Sequence, residues 1–134
     1  MKLESIAADL GVSLREGPLP PGWWGAYDHR IHTITLLPNL PPIQYRHAFA
    51  HELGHAFYRH PTSTPRNEWE ASAWAAKQLI TFEALLEATL GADTVTGVAA
   101  ILQVMPIDVE TYTQCMSEYQ TQKVMETLTS VKSC

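Results

Sequence analysis

Cysteine is scarce in this chain: there are 2, Cys115 and Cys134, the second being the last residue. Two unclustered thiols read as reduced cysteines of a cytosolic protein, and counting alone leaves open a bridge between them. Long apolar runs are missing as well. Nothing approaches the roughly 20 residues of a membrane span, and Met1–Leu10 carries Glu4 and Asp9 instead of a signal-peptide core. Positive charge is thin, with 9 Lys and Arg against 14 Asp and Glu and no basic run. A nucleic-acid binder would therefore need a local patch, which the sequence does not offer. Repeats and low-complexity tracts are absent, which leaves an ordinary globular composition, 46% hydrophobic and 17% charged. At 134 residues the chain is sized for one domain.

The patterning predicts an α+β chain, a small antiparallel hairpin sheet followed mostly by helices. Leu3, Ile6, Ala7 and Leu10 have helical spacing, and Gly11 is a natural stop. Val12–Arg15 is a short strand candidate, and the proline-rich 17–22 stretch is a loop. Trp23–Tyr27 and Ile31–Leu37 read as a hairpin turning at Asp28-His29-Arg30, with one face covered. The clearest helix is Gln44–His60, striped by Tyr45, Phe49, Leu53, Ala56 and Phe57. A second starts at a capping-box-like Asn67/Glu70 pair and runs to about Leu90, with Gly91 as its stop. A third follows Thr94, and Ile107–Leu128 is a fourth, after Pro106.

One motif stands out. His51-Glu52-Leu53-Gly54-His55 is H-E-x-x-H, set within the predicted helix. Positions i and i+4 lie about 40° apart around a helix and one turn apart along it, so both imidazoles can reach one ion. Zinc takes neutral imidazole nitrogens at about 2.0–2.1 Å, and a catalytic site keeps one position open for water. Glu52 is placed to act on that water as general base. By composition alone the pattern arises in roughly one such sequence in fifty, but here both histidines share a face beside the apolar stripe. Gly54 costs about 1 kcal/mol in a helix relative to Ala, which points to close packing at that turn.

The other histidines are poorer ligands. His47 is about 12 Å along the helix from His55, beyond one tetrahedral shell. His60 falls past the helix end, where it suits the negative end of the dipole, and His29 and His32 belong to the hairpin. A third protein ligand is expected from Glu68 or Glu70, whose directions differ by about 200° on a helix. Glu70 shares its side with Lys77 and Thr81, Glu68 with Ser72, Ala75 and Leu79. The small, apolar side packs closer to another helix, so Glu68 is the expected ligand, and its place near a helix N-terminus favours the carboxylate form.

Together these residues resemble the ImmA/IrrE family of metallopeptidases of prophages, mobile elements and stress regulators. The resemblance is carried by Arg46-x-x-x-Ala50-His51-Glu52-Leu53-Gly54-His55 and by Glu68-Trp69-Glu70-Ala71-Ser72-Ala73-Trp74-Ala75-Ala76. Gly25-Ala26-Tyr27 and Ile31–Leu36 look like the hairpin that precedes the family's site helix, so the likeness spans about Ser5–Ile80. It implies a zincin-like endopeptidase of the gluzincin kind, with one Zn2+ held by His51, His55 and Glu68 and with Glu52 as catalytic base. Where the family often has Asn or Asp, this chain has Ser72, a shorter group for orienting a ligand. Residues 1–134 then form a single metallopeptidase domain, with a catalytic core at 1–90 and a helix-turn-helix-like tail at 91–134. The tail is a poor DNA reader, because Val109–Tyr119 carries Glu110 and Glu118 and no Lys or Arg.

The expected function is thus a cytoplasmic zinc hydrolase that cleaves a protein partner, a helix-turn-helix repressor of a prophage or mobile element. Tyr27 and His29 in the hairpin are candidate oxyanion donors. The alternative is a catalytically weak, metal-containing anti-repressor module that binds its partner without turnover. The intact Glu52 argues for turnover, since a purely structural site has no use for a base beside a ligand.

Overall fold

The computed structural model describes residues 2–132, so Cys134 and its thiol lie outside the described residues. The chain is α+β and divides into two compact units, residues 1–75 and 76–134.

In the first unit, α1 (Lys2–Leu10) buries Leu3 and Ala7, and Gly11 ends it with a positive φ of 68°. Three short strands follow, β1 (Ser13–Glu16), β2 (Gly25–Asp28) and β3 (Thr33–Leu36), in the order β1-β3-β2. The β2–β3 hairpin is antiparallel, with Gly25 opposite Leu36 and Asp28 opposite Thr33. β1 joins the other edge of β3 in parallel, Ser13 opposite Thr33, so the sheet is mixed and not the purely antiparallel one expected. A hairpin signal specifies only its own two strands, and the parallel pairing depends on the long 17–24 connection. The turn is also longer than predicted. Asp28 accepts the Arg30 N–H at 3.0 Å, and His32 takes a left-handed φ of 46°, which delays β3 to Thr33.

Ile34 and Leu36, on one face of β3, are fully buried, and α2 (Pro42–Tyr58) packs on β2, β3 and α1. α2 begins two residues before the expected Gln44, because the fixed φ of Pro42 suits the first helical turn. Its Phe49, Ala50, Leu53 and Ala56 are buried, whereas Phe57 stays half exposed and stacks on Trp74 at 5.5 Å. α3 (Pro65–Leu79) is capped by Thr64, whose hydroxyl accepts the Asn67 N–H at 3.1 Å. Asn67 therefore sits inside the first turn and is not the cap.

The second unit centres on Ala76, Ile80, Leu85, Val98, Val104 and Val109, with Tyr112 beside them. Helices α4 (Phe82–Thr89), α5 (Val95–Leu102), α6 (Pro106–Cys115) and α7 (Glu118–Lys132) supply most of it. The predicted helix to Leu90 breaks after Leu79, where Thr81 caps α4 by accepting the Ala84 N–H at 3.2 Å. The predicted 107–128 helix also breaks, because Ser117 accepts the Gln120 N–H at 3.1 Å and starts α7. Ser and Thr compete for nearby amides in this way, so each can begin a new helix within an apolar period.

Candidate metal centre

The site is built on the buried middle of α2. His51 and His55 lie one turn apart, with ring centroids 4.8 Å apart and Nε2 atoms 3.2 Å apart. α3 brings Glu68 to the same point, its Oε1 3.1 Å from His51 Nε2 and its Oε2 2.9 Å from His55 Nε2. Two ligands bound at 2.0–2.1 Å in a tetrahedral shell stand about 3.3–3.4 Å apart. The two imidazole nitrogens are near that spacing, and each faces a different Glu68 oxygen; taken one atom per residue, the three donors lie within 4.8 Å of one another.

Close approach of the two helices makes this possible. A Cβ on Gly54 would lie 2.6 Å from the Ala71 carbonyl oxygen and 2.8 Å from its Cα. No other residue type lets α3 come so near at this turn, and Ala71 stands three positions after Glu68, on the same face of α3. Ser63 holds the carboxylate further by donating to Glu68 Oε2 at 3.0 Å.

The electrostatics suit metal binding. Partial burial opposes the charge on Glu68, but His55 beside it and hydrogen bonds from His51 and Ser63 prevail and hold its carboxyl below the usual range. Burial, aided by His51, holds His55 below the usual imidazole range and favours the neutral, ligating form. Glu52 is buried, and burial with the nearby Glu68 charge pushes its carboxyl up to about 8. Its side chain lies against β2, where a Cβ on Gly25 would come within 2.9 Å of Glu52 Cγ. Glu52, His55 and Glu68 face a cavity of about 390 Å³ that Trp23, Tyr27 and His60 also line.

The remaining expected residues fall at different distances from this centre. Ser72 Oγ lies 3.2 Å from His51 Nδ1, where it orients the ring. Tyr27 lines the cavity, but its hydroxyl is 2.7 Å from His32 Nδ1. His32 Nε2 faces the Leu10 carbonyl at 3.0 Å. A carbonyl only accepts, so His32 Nδ1 takes the proton that Tyr27 would offer an oxyanion. His29 lines a neighbouring hollow with Arg15 and Asp28 and does not line the Glu52 cavity. His47 packs edge-on against Trp24, 5.9 Å between centroids.

Sequence reasoning missed two residues. His60 does more than sit at the dipole end of α2: its ring is buried, with Nδ1 3.0 Å from His55 Nδ1. Its Nε2 lies 3.1 Å from Glu70 Oε1. Glu70 thus does not touch His51 or His55 directly but reaches the site through His60.

A helix pair that presents two imidazoles and a carboxylate to one point, beside a buried glutamate, defines a domain of the metallopeptidase type. The sequence model of the Peptidase_M78 family, described as the IrrE N-terminal-like domain, matches residues 3–106, and the chain belongs to that family. Peptidases of this family are metal-dependent. No curated protein and no solved structure gives a significant match. Among the described residues no helix is long and apolar enough to cross a membrane.

Proposed function

We propose that this protein is a zinc-dependent endopeptidase of the cytoplasm, and that its substrate is a helix-turn-helix repressor of a prophage or mobile element. The observation that carries the peptidase reading is the convergence of His51, His55 and Glu68 within 4.8 Å of one another, with Glu52 lining a cavity beside His55 and Glu68. Two neutral imidazoles and a carboxylate are a donor set that fits zinc. Membership of the Peptidase_M78 family supports the reaction class, and the likeness to ImmA/IrrE proteins supports the choice of substrate.

In this mechanism His51, His55 and Glu68 would hold the ion. When bound, zinc polarises the scissile carbonyl and makes water a nucleophile near neutral pH. The Glu52 carboxylate takes the proton from the attacking water and hands it to the leaving amine. Burial raises its affinity for a proton above that of an ordinary carboxyl, which suits it to accept one. Among the described residues β2 pairs only with β3, and Gly25, Ala26 and Tyr27 line the cavity. An extended peptide can thus lie along the outer edge of β2 with a bond near Glu52.

The test is Glu52→Gln, which keeps shape and removes the base. It should retain zinc and fold, lose about 10²- to 10⁴-fold in cleavage rate, and capture a repressor in a pull-down. If neither the wild type nor the variant cleaves a captured partner, the anti-repressor binding module becomes the better account.

A further inference from the structure

We propose that His60 and Glu70 are positioning residues of the metal centre: they fix the tautomer of His55 so that its Nε2 lone pair points at the ion. The proposal rests on the metal-centre reading given above.

The local backbone sets up the contact. α2 ends on Arg59, a non-glycine residue in the left-handed region at φ 51° and ψ 47°. The Arg59 N–H donates to the Ala56 carbonyl at 3.1 Å, and the His60 N–H to the His55 carbonyl at 3.0 Å. That pair of bonds is a Schellman ending, which sets the residue after the left-handed one beside the residue five positions earlier. The pair so juxtaposed is commonly hydrophobic. Here it is His55 and His60, and their rings meet Nδ1 to Nδ1 at 3.0 Å. Tyr58 stacks on the His60 ring at 5.2 Å, with planes 13° apart, and restricts its rotation.

The direction of the hydrogen bonds follows from the end of the chain. A Glu70 carboxylate oxygen accepts, so His60 Nε2 bears the hydrogen across the 3.1 Å contact. In a neutral His60 ring Nδ1 then holds a lone pair, which accepts from His55 Nδ1–H. In a neutral His55 ring Nε2 is left without a hydrogen, facing Glu68 Oε2 at 2.9 Å and His51 Nε2 at 3.2 Å. With a cation in place of the hydrogen that His51 Nε2 shares with Glu68 Oε1 across 3.1 Å, the His55 lone pair would meet the other two donors at one point. The chain from Glu70 through His60 thus presents His55 in the one tautomer that a metal can use, as partners behind ligating histidines do elsewhere. Glu70 and Glu68 both stand on α3, so one helix supplies both the ligand and the orienting carboxylate.

Zinc affinity measured by competition with a chromogenic chelator tests this, with folding followed by circular dichroism. His60→Phe keeps a ring but no acceptor and should weaken zinc binding about 10- to 100-fold. His60→Gln, whose side-chain carbonyl can accept from His55 Nδ1–H, should recover most of the loss. Glu70→Ala should give an intermediate loss, and it serves as the test if His60→Phe does not fold. Long-range ¹H–¹⁵N spectra of the zinc-loaded wild type should show His55 protonated at Nδ1 and His60 at Nε2. The opposite tautomers would overturn the proposal, as would His60→Phe and Glu70→Ala binding zinc within twofold of wild type. Wild type that takes up no zinc would overturn the metal centre itself, a failure distinct from that of the orienting chain.

Discussion

Gly54→Ala sets two known effects against each other. Alanine in a helix interior is favoured over glycine by about 1 kcal/mol, so propensity alone predicts a more stable protein. The new Cβ would stand 2.6 Å from the Ala71 oxygen, however, and ordinary van der Waals contact starts at 3.4 Å. α2 and α3 must therefore part by about 0.8 Å, and since the atoms in the way are backbone, no side-chain rotation relieves the clash. Overpacking of this kind costs about 1–3 kcal/mol. The net effect should be a loss of up to about 2 kcal/mol, or a fall in Tm of several degrees for a chain this size. Glu68 rides on α3, so the same displacement should stretch its 2.9 and 3.1 Å approaches to the two histidines and weaken zinc binding at least tenfold. Thermal unfolding in the presence of a chelator gives the first quantity, and dye competition gives the second. A rise in Tm near that expected from helix propensity, with zinc affinity unchanged, would show that the two helices do not need this close approach.

Two other perturbations isolate Glu52. Gly25→Ala places a Cβ 2.9 Å from Glu52 Cγ, so the carboxylate should shift while His51, His55 and Glu68 stay in place. Turnover should fall at least tenfold with zinc affinity near wild type, and a parallel loss of both would mean that β2 also supports the ligands. For the metal-free protein, the Glu52 carboxyl is raised in the fold from 4.5 to about 8. Its contribution is therefore fully present below pH 4.5 and is lost as pH rises towards 8, a window worth a few kcal/mol. Urea unfolding of wild type against Glu52→Gln should show the two diverging across that window, with the variant the more stable at pH 8. Parallel curves would mean that the buried carboxyl is solvated or paired.

The fold was legible wherever a local signal fixed a local structure. The bounds of α1 follow from its apolar spacing and Gly11, and Ile34–Leu36 alternates as the covered strand of a hairpin should. Two kinds of feature were hidden. The parallel pairing of β1 with β3 is a long-range choice to which four exposed residues, Ser13–Glu16, contribute no pattern. The breaks at Thr81 and Ser117 were hidden because apolar periodicity runs on through both, so that only the capping hydroxyls mark them.

The centre was legible to the extent that it lies on helix faces. His51, His55 and Glu68 converge because i, i+4 spacing and the small side of α3 require it, and Gly54 marks the point of contact. His60 and Glu70 were not legible, because the link between them passes through a turn. The usual sign of a Schellman ending is glycine at the left-handed position, and Arg59 stands there instead. The signal that remained is positional. A histidine five residues after a site histidine, with Pro61 next to stop the helix, falls at the position that a Schellman ending brings against His55. The reach of the H-E-x-x-H helix therefore extends past its last turn, and the residue after the left-handed position belongs to the site as much as the residues on its buried face.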